Sequence, residues 1–396
     1  MGPGRLTTPE EVRAAIDSAA RTSRARLVAI LAAPTRDIPL AEDSLADAFE
    51  KALRHWPIDG VPANPEGWLL TVARNRQLDV LRSAAHRGRE LEDVVAVIDD
   101  IDPEAIPERR LELLFACAHP AIAPESRTPL MLQVVLGLEA ADIARAYAVP
   151  ASAMSQRLVR AKRRVRETGI PFSLPRRADM PARLGAVLEA IYGAYAVDLP
   201  VAGLVERESL ASETLFLALT IAELTGEAEA LGLAALLSFS TARTPARGTV
   251  FVPLDEQDPT LWDATLIVQG ETLLRRAAVA GVPGRFQLEA AIQSWHCARS
   301  GDTASLVALH RGLVAVAPTL GAQVALAAVL EPEEGLAVLD GLGERAERFQ
   351  PAWATRAHLL RSAGSPAAEA YEKAISLTTD AGLRSWLEGR AATTER

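Results

Sequence analysis

The chain has 396 residues, of which 49% are hydrophobic, 23% are charged and only 5% are aromatic. This composition excludes a mostly disordered protein and favours a core built from helices, and the length predicts roughly two or three domains. Two distant cysteines, Cys117 and Cys297, suit a reducing compartment. No signal peptide and no run of about 18 apolar residues is recognised. The sequence therefore predicts a soluble, cytoplasmic, mostly helical protein with no membrane association.

Charge is distributed unevenly along the chain. Residues 181–396 carry 17 basic and 26 acidic side chains, whereas the preceding residues carry 25 of each. Two basic segments, 72–89 and 156–166, flank an acidic segment at 90–108. This alternation predicts two modules that face nucleic acid, joined by a negative linker. Solvated helix faces are the alternative for either basic segment alone.

Two helices are predicted near the start of the chain. Apolar residues recur at helical spacing over residues 10–31, and Pro34 and Pro39 are expected to break that helix. The second helix is predicted to begin near Leu40 and to end at the turn signal of residues 57–60.

A third helix is predicted after a short loop. Asn64 suits the N-cap of this helix and Pro65 suits its first helical position. Trp68 and Leu69 begin an apolar face that is directed inward, and the polar side chains of the helix lie elsewhere.

The strongest local pattern follows two further predicted helices at 109–119 and 128–137. A short helix at 140–147, a turn at 148–150 and a longer helix from about Ser152 predict a helix–turn–helix, whose second helix would enter the major groove of DNA. Six cations lie within residues 156–166 and none of the residues there is acidic. An incidental pair of helices in a helical protein is the alternative.

A proline-rich stretch without periodicity predicts another boundary near residue 180. Helical patterns then continue to the end of the chain, and only residues 248–253 look extended. Ala367, Tyr371 and Ala374 have the spacing of the second helix of a tetratricopeptide unit, and this spacing recurs twice upstream. We predict a tetratricopeptide-like stack, with a non-repetitive helical bundle as the alternative.

No catalytic or metal-binding pattern is recognised in the sequence. The six histidines show no metal-ligand spacing, and neither a phosphate-binding glycine loop nor a nucleophile elbow occurs. Cys117, two residues before His119, is interpreted as a core thiol and not as a ligand. We therefore expect no enzyme activity, no cofactor and no metal.

Three segments, taken in order, resemble a bacterial RNA polymerase sigma factor of the sigma-70 family, extracytoplasmic-function type. They are AEDSLADAFEKALRHW, NPEGWLLTVARNRQLDVLR and LEAADIARAYAVPASAMSQRLVRAKRRVRE. The long helical extension, with its segment LDEQDPTLWDATLIVQG, is similar to that of one subgroup in which the extension belongs to the sigma factor itself. No separate anti-sigma factor is expected for this subgroup.

The resemblance implies an all-α fold. Two small helical sigma domains, the second a helix–turn–helix, would be joined by an acidic linker and followed by a larger tetratricopeptide-like domain. The expected limits are 8–88 for sigma region 2, 89–108 for the linker, 109–170 for sigma region 4 and 181–396 for the extension.

The resemblance also implies partners and site residues. Core RNA polymerase would be bound at its clamp and flap regions, and the residues implied for this contact are Glu42, Asp43, Asp47 and Phe49. Those implied for the promoter −10 element are Trp68, Arg74, Asn75, Arg76 and Arg82, with a flipped base captured at the preceding loop. Those implied for the −35 element are Ser152, Ser155, Gln156, Arg157, Arg160, Lys162 and Arg163, of which the last two would grip the DNA backbone.

Two other functions stay open at this point. A one-component helix–turn–helix regulator with a helical sensor domain would bind duplex DNA without polymerase. A tetratricopeptide scaffold with an incidental helix–turn–helix would not bind DNA. The negative charge of the extension also suggests that it covers a DNA-binding face of the same chain and thereby regulates it. One departure from the family is Ala46, which stands where a glutamine is common in the polymerase-docking helix.

Overall fold

The computed structural model describes residues 9–85, 106–198, 204–247, 251–279, 282–299 and 302–394. Within these ranges the regular structure consists of twenty α-helices and three short 3₁₀ turns, so the predicted all-α class is confirmed. Most of the predicted acidic linker lies outside the described residues. The chain divides into two compact units, residues 1–201 with 205–210, and residues 202–204 with 211–396.

The first unit begins with four helices that correspond to the predicted region 2. They are α1 (Pro9–Thr22), α2 (Arg24–Thr35), α3 (Ile38–Asp59) and α4 (Pro65–Ala85). The single helix predicted over 10–31 is in fact two helices, separated at Ser23, whose buried hydroxyl donates to Glu66 at the start of α4. Pro34 lies in the last turn of α2 and does not end it.

Local capping sets the boundaries of α3 and α4. Asp37 accepts a hydrogen bond from the backbone N of Leu40 at 3.1 Å, so α3 begins two residues earlier than predicted. Its C-terminus is closed by Gly60, whose φ of 86° favours glycine. Asn64 accepts from the backbone N of Gly67 at 2.9 Å, which confirms the predicted N-cap of α4.

The remaining helices of the first unit surround the predicted helix–turn–helix. They are α5 (Ile106–Cys117), α6 (Pro124–Val134), α7 (Ala140–Ala146), α8 (Ala151–Glu167) and α9 (Pro181–Asp198). α7 and α8 lie where the sequence predicts them, and they pack through buried Ile143, Met154 and Leu158. α9 packs against α5 and α6 and so belongs to the first unit, although it follows the predicted limit at residue 181. The predicted domain limits stay a prediction.

The next helix, α10 (Leu204–Thr225), contributes residues 205–210 to the first unit and its later residues to the second. The second unit continues with α11 (Ala228–Ala242), α12 (Thr244–Arg247), α13 (Ala264–Ala278) and α14 (Arg285–Ala298). α11 is the buried centre, and it contacts both α13 and α14. Gly232 allows the close approach to α14, because a Cβ there would lie 2.6 Å from the backbone N of Gln287.

Successive helices then form an array. They are α15 (Thr303–Val316), α16 (Leu320–Val329), α17 (Pro332–Gly341), α18 (Gln350–Ser362), α19 (Ala368–Leu377) and α20 (Ala381–Thr394). Each helix packs on its neighbours in the chain, and separate apolar clusters follow one another along the array. Nearest-neighbour packing of this kind is typical of helical repeat proteins. Ala367, Tyr371 and Ala374 are buried. The tetratricopeptide-like character of the array stays a prediction.

A side chain of α11 caps the N-terminus of α14. The Glu229 carboxylate accepts from the backbone N of Phe286 at 3.0 Å and of Gln287 at 3.1 Å. Because helix N-termini have unpaired N–H groups and favour negative charge, we expect Glu229→Ala to lower the free energy of unfolding by about 2 kcal/mol. Urea unfolding followed by circular dichroism measures this loss. The control is Glu227→Ala at an exposed position, and an equal loss in both variants would contradict the cap.

Candidate nucleic-acid interface

A pocket of about 420 Å³ opens between the end of α3 and the start of α4. Two indoles form part of its wall, since Trp56 and Trp68 meet edge to face with ring centroids 5.5 Å apart. Trp56 is fully buried, and its Nε1 has no hydrogen-bond partner among the described residues. An aromatic wall of this kind suits a planar base.

Polar side chains surround this pocket. Lys51, His55 and Asp59 lie on α3 and Asn75 lies on α4, and the Nδ1 atom of His55 is 3.6 Å from the Oδ2 atom of Asp59. The sequence predicted Asn75 and Trp68 as site residues, and the structure brings both to the pocket. It did not predict the three α3 side chains. Their spacing of four residues places them on one face of the helix, and this pattern could have indicated them from the sequence.

The cations of α4 have different surroundings. The Nε atom of Arg76 is 2.5 Å from Asp47 Oδ2, and both side chains are partly exposed. The structure thus pairs a residue predicted for the −10 element with one predicted for polymerase. Arg74 is half-buried, whereas Arg82 is exposed near the end of α4.

The helix α8 presents one continuous polar stripe. Its exposed residues are Ser152, Ser155, Gln156, Arg160 and Arg163, which follow helical spacing, while Arg157 is half-buried beside them. The opposite side is buried through Met154 and Leu158. Val159 is 65% exposed within the stripe and was not predicted as a site residue. Its spacing of three from Gln156 and four from Ser155 could have indicated it, and its methyl groups suit contact with a thymine methyl.

Lys162 lies away from this stripe. Its Nζ atom is 2.7 and 2.8 Å from the two carboxylate oxygens of Glu42 on α3, and the two side chains are only 12% and 22% exposed. Nearby, Arg166 lies 3.7 Å from Asp37, and Arg36 donates to the carbonyl of Gly169. The C-terminal half of α8 is therefore docked on the helices that begin the chain.

The other residues predicted for polymerase binding remain near this contact on α3. Asp43 is exposed, and Phe49 is half-buried. Asp43, Ala46 and Asp47 follow spacings of three and four, so they share one face of the helix. Glu42 and Asp47 already have cationic partners, which any binding protein would have to replace.

The thiol of Cys117 is a core group. The side chain is completely buried, and this burial raises its pKa to about 12. No group of three or more His, Cys, Asp or Glu side chains that could hold a metal ion occurs in the described part of the chain. Among the helices described, none has the length and apolar character needed to cross a membrane.

Comparisons with known proteins agree with this geometry. Residues 20–87 match the family model of sigma-70 region 2, and residues 183–278 match a family of unknown function, DUF6596. The probable ECF RNA polymerase sigma factor SigI of Mycobacterium tuberculosis is 30% identical over 169 residues, 40% of this chain and 57% of that protein. The ECF RNA polymerase sigma factor SigJ of the same species is 30% identical over 150 residues, 36% and 47% of the two chains. The aligned part thus spans about half of each of these relatives, and no solved structure matches.

The region 2 match and these relatives define the class of protein. The chain belongs to the sigma-70 family, extracytoplasmic-function type, and its role is that of an alternative sigma factor. The match to DUF6596 fits the subgroup with a long C-terminal extension. "Uncharacterized protein R00370" of Rhizobium meliloti is similar along most of the chain, with 33% identity over 402 residues and 94% of both chains. The predicted resemblance is confirmed, and the one-component regulator is not favoured.

Proposed function

We propose that this chain binds core RNA polymerase and directs it to promoters by contacts with the −10 and −35 elements. The observation that carries the proposal is the pocket between α3 and α4, because it lies within the region 2 match and combines two indoles with polar side chains. Extraction of a base from duplex DNA costs stacking and pairing energy. An aromatic pocket offsets that cost, and this is why such sites capture flipped bases.

The side chains of α4 divide between base and backbone in this proposal. Trp68 and Asn75 would contact the captured base, and the remaining predicted residues Arg74, Arg76 and Arg82 would hold phosphates. Arg76 would exchange its carboxylate partner Asp47 for a phosphate. Neutralised phosphates release counterions, so promoter binding is expected to weaken steeply as salt concentration rises.

The exposed stripe of α8 would read the −35 element. A bidentate contact between Arg160 and guanine would contribute about 1–3 kcal/mol of discrimination. Val159 would add apolar contact to thymine, and Arg163 would grip the backbone. The buried pairing of Lys162 with Glu42 means that Lys162 reaches phosphate only after α8 has separated from α3.

The remaining parts of the proposal concern polymerase and the extension. Acidic side chains of α3, among them the exposed Asp43, would contact the polymerase clamp, and the helix–turn–helix would contact the flap. The extension would regulate the sigma domains of the same chain, and no catalytic activity is proposed. Because core polymerase and promoters are found in the cytoplasm, we place the protein there.

Run-off transcription with purified core enzyme, on the promoter upstream of the protein's own gene, tests the proposal. A gel shift should show weak DNA binding by the protein alone and tight binding with core enzyme. A one-component regulator would bind without polymerase, and a scaffold would bind in neither case. A truncation that retains residues 1–210 tests regulation and keeps α9 on its partners α5 and α6. Unchanged promoter binding and transcription after truncation would contradict regulation by the extension.

A further inference from the structure

Arginines from different helices of the first unit converge on one turn. The turn is residues 118–123, between α5 and α6. Arg127 of α6 donates to two backbone carbonyls of the turn, from Nε at 2.9 Å and from Nη2 at 3.3 Å. Arg164 of α8 donates from Nε to a third carbonyl, that of Ala121, at 3.3 Å. Neighbouring carbonyls of this turn therefore hold two guanidinium groups.

A third arginine comes from the first helix of the extension. Arg183 of α9 lies close enough to His119 in the turn for its charge to act on the imidazole. Burial, Arg183 and Arg127 together lower the pKa of His119, so the fields of these two arginines overlap at the turn. The four side chains His119, Arg127, Arg164 and Arg183 are called the basic cluster below.

The positive charge of the basic cluster is not balanced by carboxylates. Among the residues that the structure describes, none of its three arginines forms an ion pair, and Glu125 in the first turn of α6 pairs with none of them. Arg164 is exposed, and Arg127 and Arg183 are half-buried. Cations gathered in this way attract an anion. Arginine suits phosphate in particular, because its planar group can donate two parallel hydrogen bonds to phosphate oxygens.

The basic cluster lies beside the surface that is proposed to read DNA. Arg164 follows Arg160 of the exposed α8 stripe by about one helical turn. Arg164 is two positions from Lys162, so the two side chains point to opposite sides of α8. Arg164 therefore stays exposed while Lys162 is paired with Glu42.

We infer, resting on the proposed promoter function, that the basic cluster binds phosphates of the DNA backbone beside the −35 element. Backbone phosphate is the anion favoured here, because the cluster continues along the helix whose stripe is proposed to enter the major groove. Such contacts hold a protein in register on DNA without reading sequence. Arg183 lies within the DUF6596 match, so the first helix of a mostly acidic extension contributes to the DNA-binding surface.

The salt dependence of promoter binding counts the phosphates that the protein neutralises. The complex of the full chain with core polymerase is titrated onto fluorescent promoter DNA at several salt concentrations. Each lost phosphate contact reduces the slope of log affinity against log salt by about 0.9. Arg183→Gln should therefore reduce the slope by about one and lower affinity at least threefold at fixed salt. Arg183→Lys keeps the charge and should keep the slope of the parent.

Further variants provide the controls. Combining Arg164→Gln with Arg183→Gln should reduce the slope by about two. Arg13→Gln removes a charge at an exposed position of α1, outside the region 2 match, and should leave the slope unchanged. Circular dichroism checks the fold of each variant. If Arg183→Gln loses helicity, Arg164→Gln alters only an exposed side chain and should by itself reduce the slope by about one.

Neutral phosphates identify the contact. Each of a set of promoter duplexes carries one uncharged methylphosphonate linkage beside the −35 element. At the linkage that Arg183 contacts, the substitution should weaken the parent at least threefold and leave Arg183→Gln unaffected. A variant that acted only through folding would lose affinity equally for all duplexes. The preference among base-substituted −35 elements should stay that of the parent, as expected for a backbone contact.

The possible failures differ from one another. If the parent complex binds promoter DNA no better than core polymerase alone, the proposed function fails, and the role of the basic cluster fails with it. If the parent binds the promoter but Arg183→Gln keeps its slope and its response to every methylphosphonate, only the inferred phosphate contact is overturned. Weaker binding of Arg183→Gln to core polymerase, with an unchanged slope for the promoter, would assign the cluster to polymerase and would also overturn that contact.

Discussion

Replacement of Arg160 by glutamate should reduce promoter binding by the polymerase complex about 100-fold. The side chain is exposed in the middle of the α8 stripe, so the variant should fold normally. A bidentate contact of arginine with guanine contributes about 1–3 kcal/mol, and each 1.4 kcal/mol corresponds to a factor of ten. A carboxylate at this position also repels nearby phosphates. Gel shifts at fixed salt, with core enzyme and promoter DNA, measure the change.

Two further variants separate base reading from general charge. Arg163→Glu should weaken binding to all promoter sequences by a similar factor, because Arg163 is proposed to contact the backbone. Arg160→Glu should in addition abolish the preference for one base pair of the −35 element. Arg345→Glu makes the same charge change at an exposed position outside the sigma domains and should have little effect. If Arg160→Glu retained the parent's preference among substituted −35 elements, base reading by this residue would be wrong.

The parts of the fold that the sequence predicted are those with local causes. Asn64 and Gly67 are three residues apart, so the local sequence is sufficient to predict the cap of α4. The α8 stripe likewise follows from spacings of three and four. The division between α1 and α2 was missed because the apolar period continues across it. The hydrogen bond made at this division, from Ser23 to Glu66, joins positions 43 residues apart.

The missed parts of the site depend on distant contacts in the same way. The sequence assigned Glu42 to polymerase and Lys162 to DNA, and nothing in its local pattern indicates that the two side chains pair. In the same way, Arg76 pairs with Asp47, which lies 29 residues earlier in the chain. Periodicity predicts which face of a helix is exposed, but it cannot identify the charge that faces it from another helix.

Exchange of the Glu42 and Lys162 charges should separate their packing role from their binding roles. Either Glu42→Lys or Lys162→Glu alone places like charges together in a contact that is mostly shielded from solvent. We expect each single reversal to lower the free energy of unfolding by about 3 kcal/mol, and the double variant to recover most of that loss. Urea unfolding of the four proteins gives the coupling energy. Single variants as stable as the parent would show that this pair does not hold α8 on α3.

The double variant should nevertheless bind core polymerase roughly tenfold more weakly. It keeps an ion pair between α3 and α8 but presents a lysine where the proposed function requires a carboxylate to meet basic polymerase residues. Wild-type affinity for core enzyme would show that Glu42 serves only the internal contact. Because the carboxylate of Glu42 can pair with either Lys162 or polymerase, the two contacts compete. Polymerase binding would then release Lys162, and with it the C-terminal half of α8, from α3. Binding to core polymerase would thereby prepare the chain to bind promoter DNA.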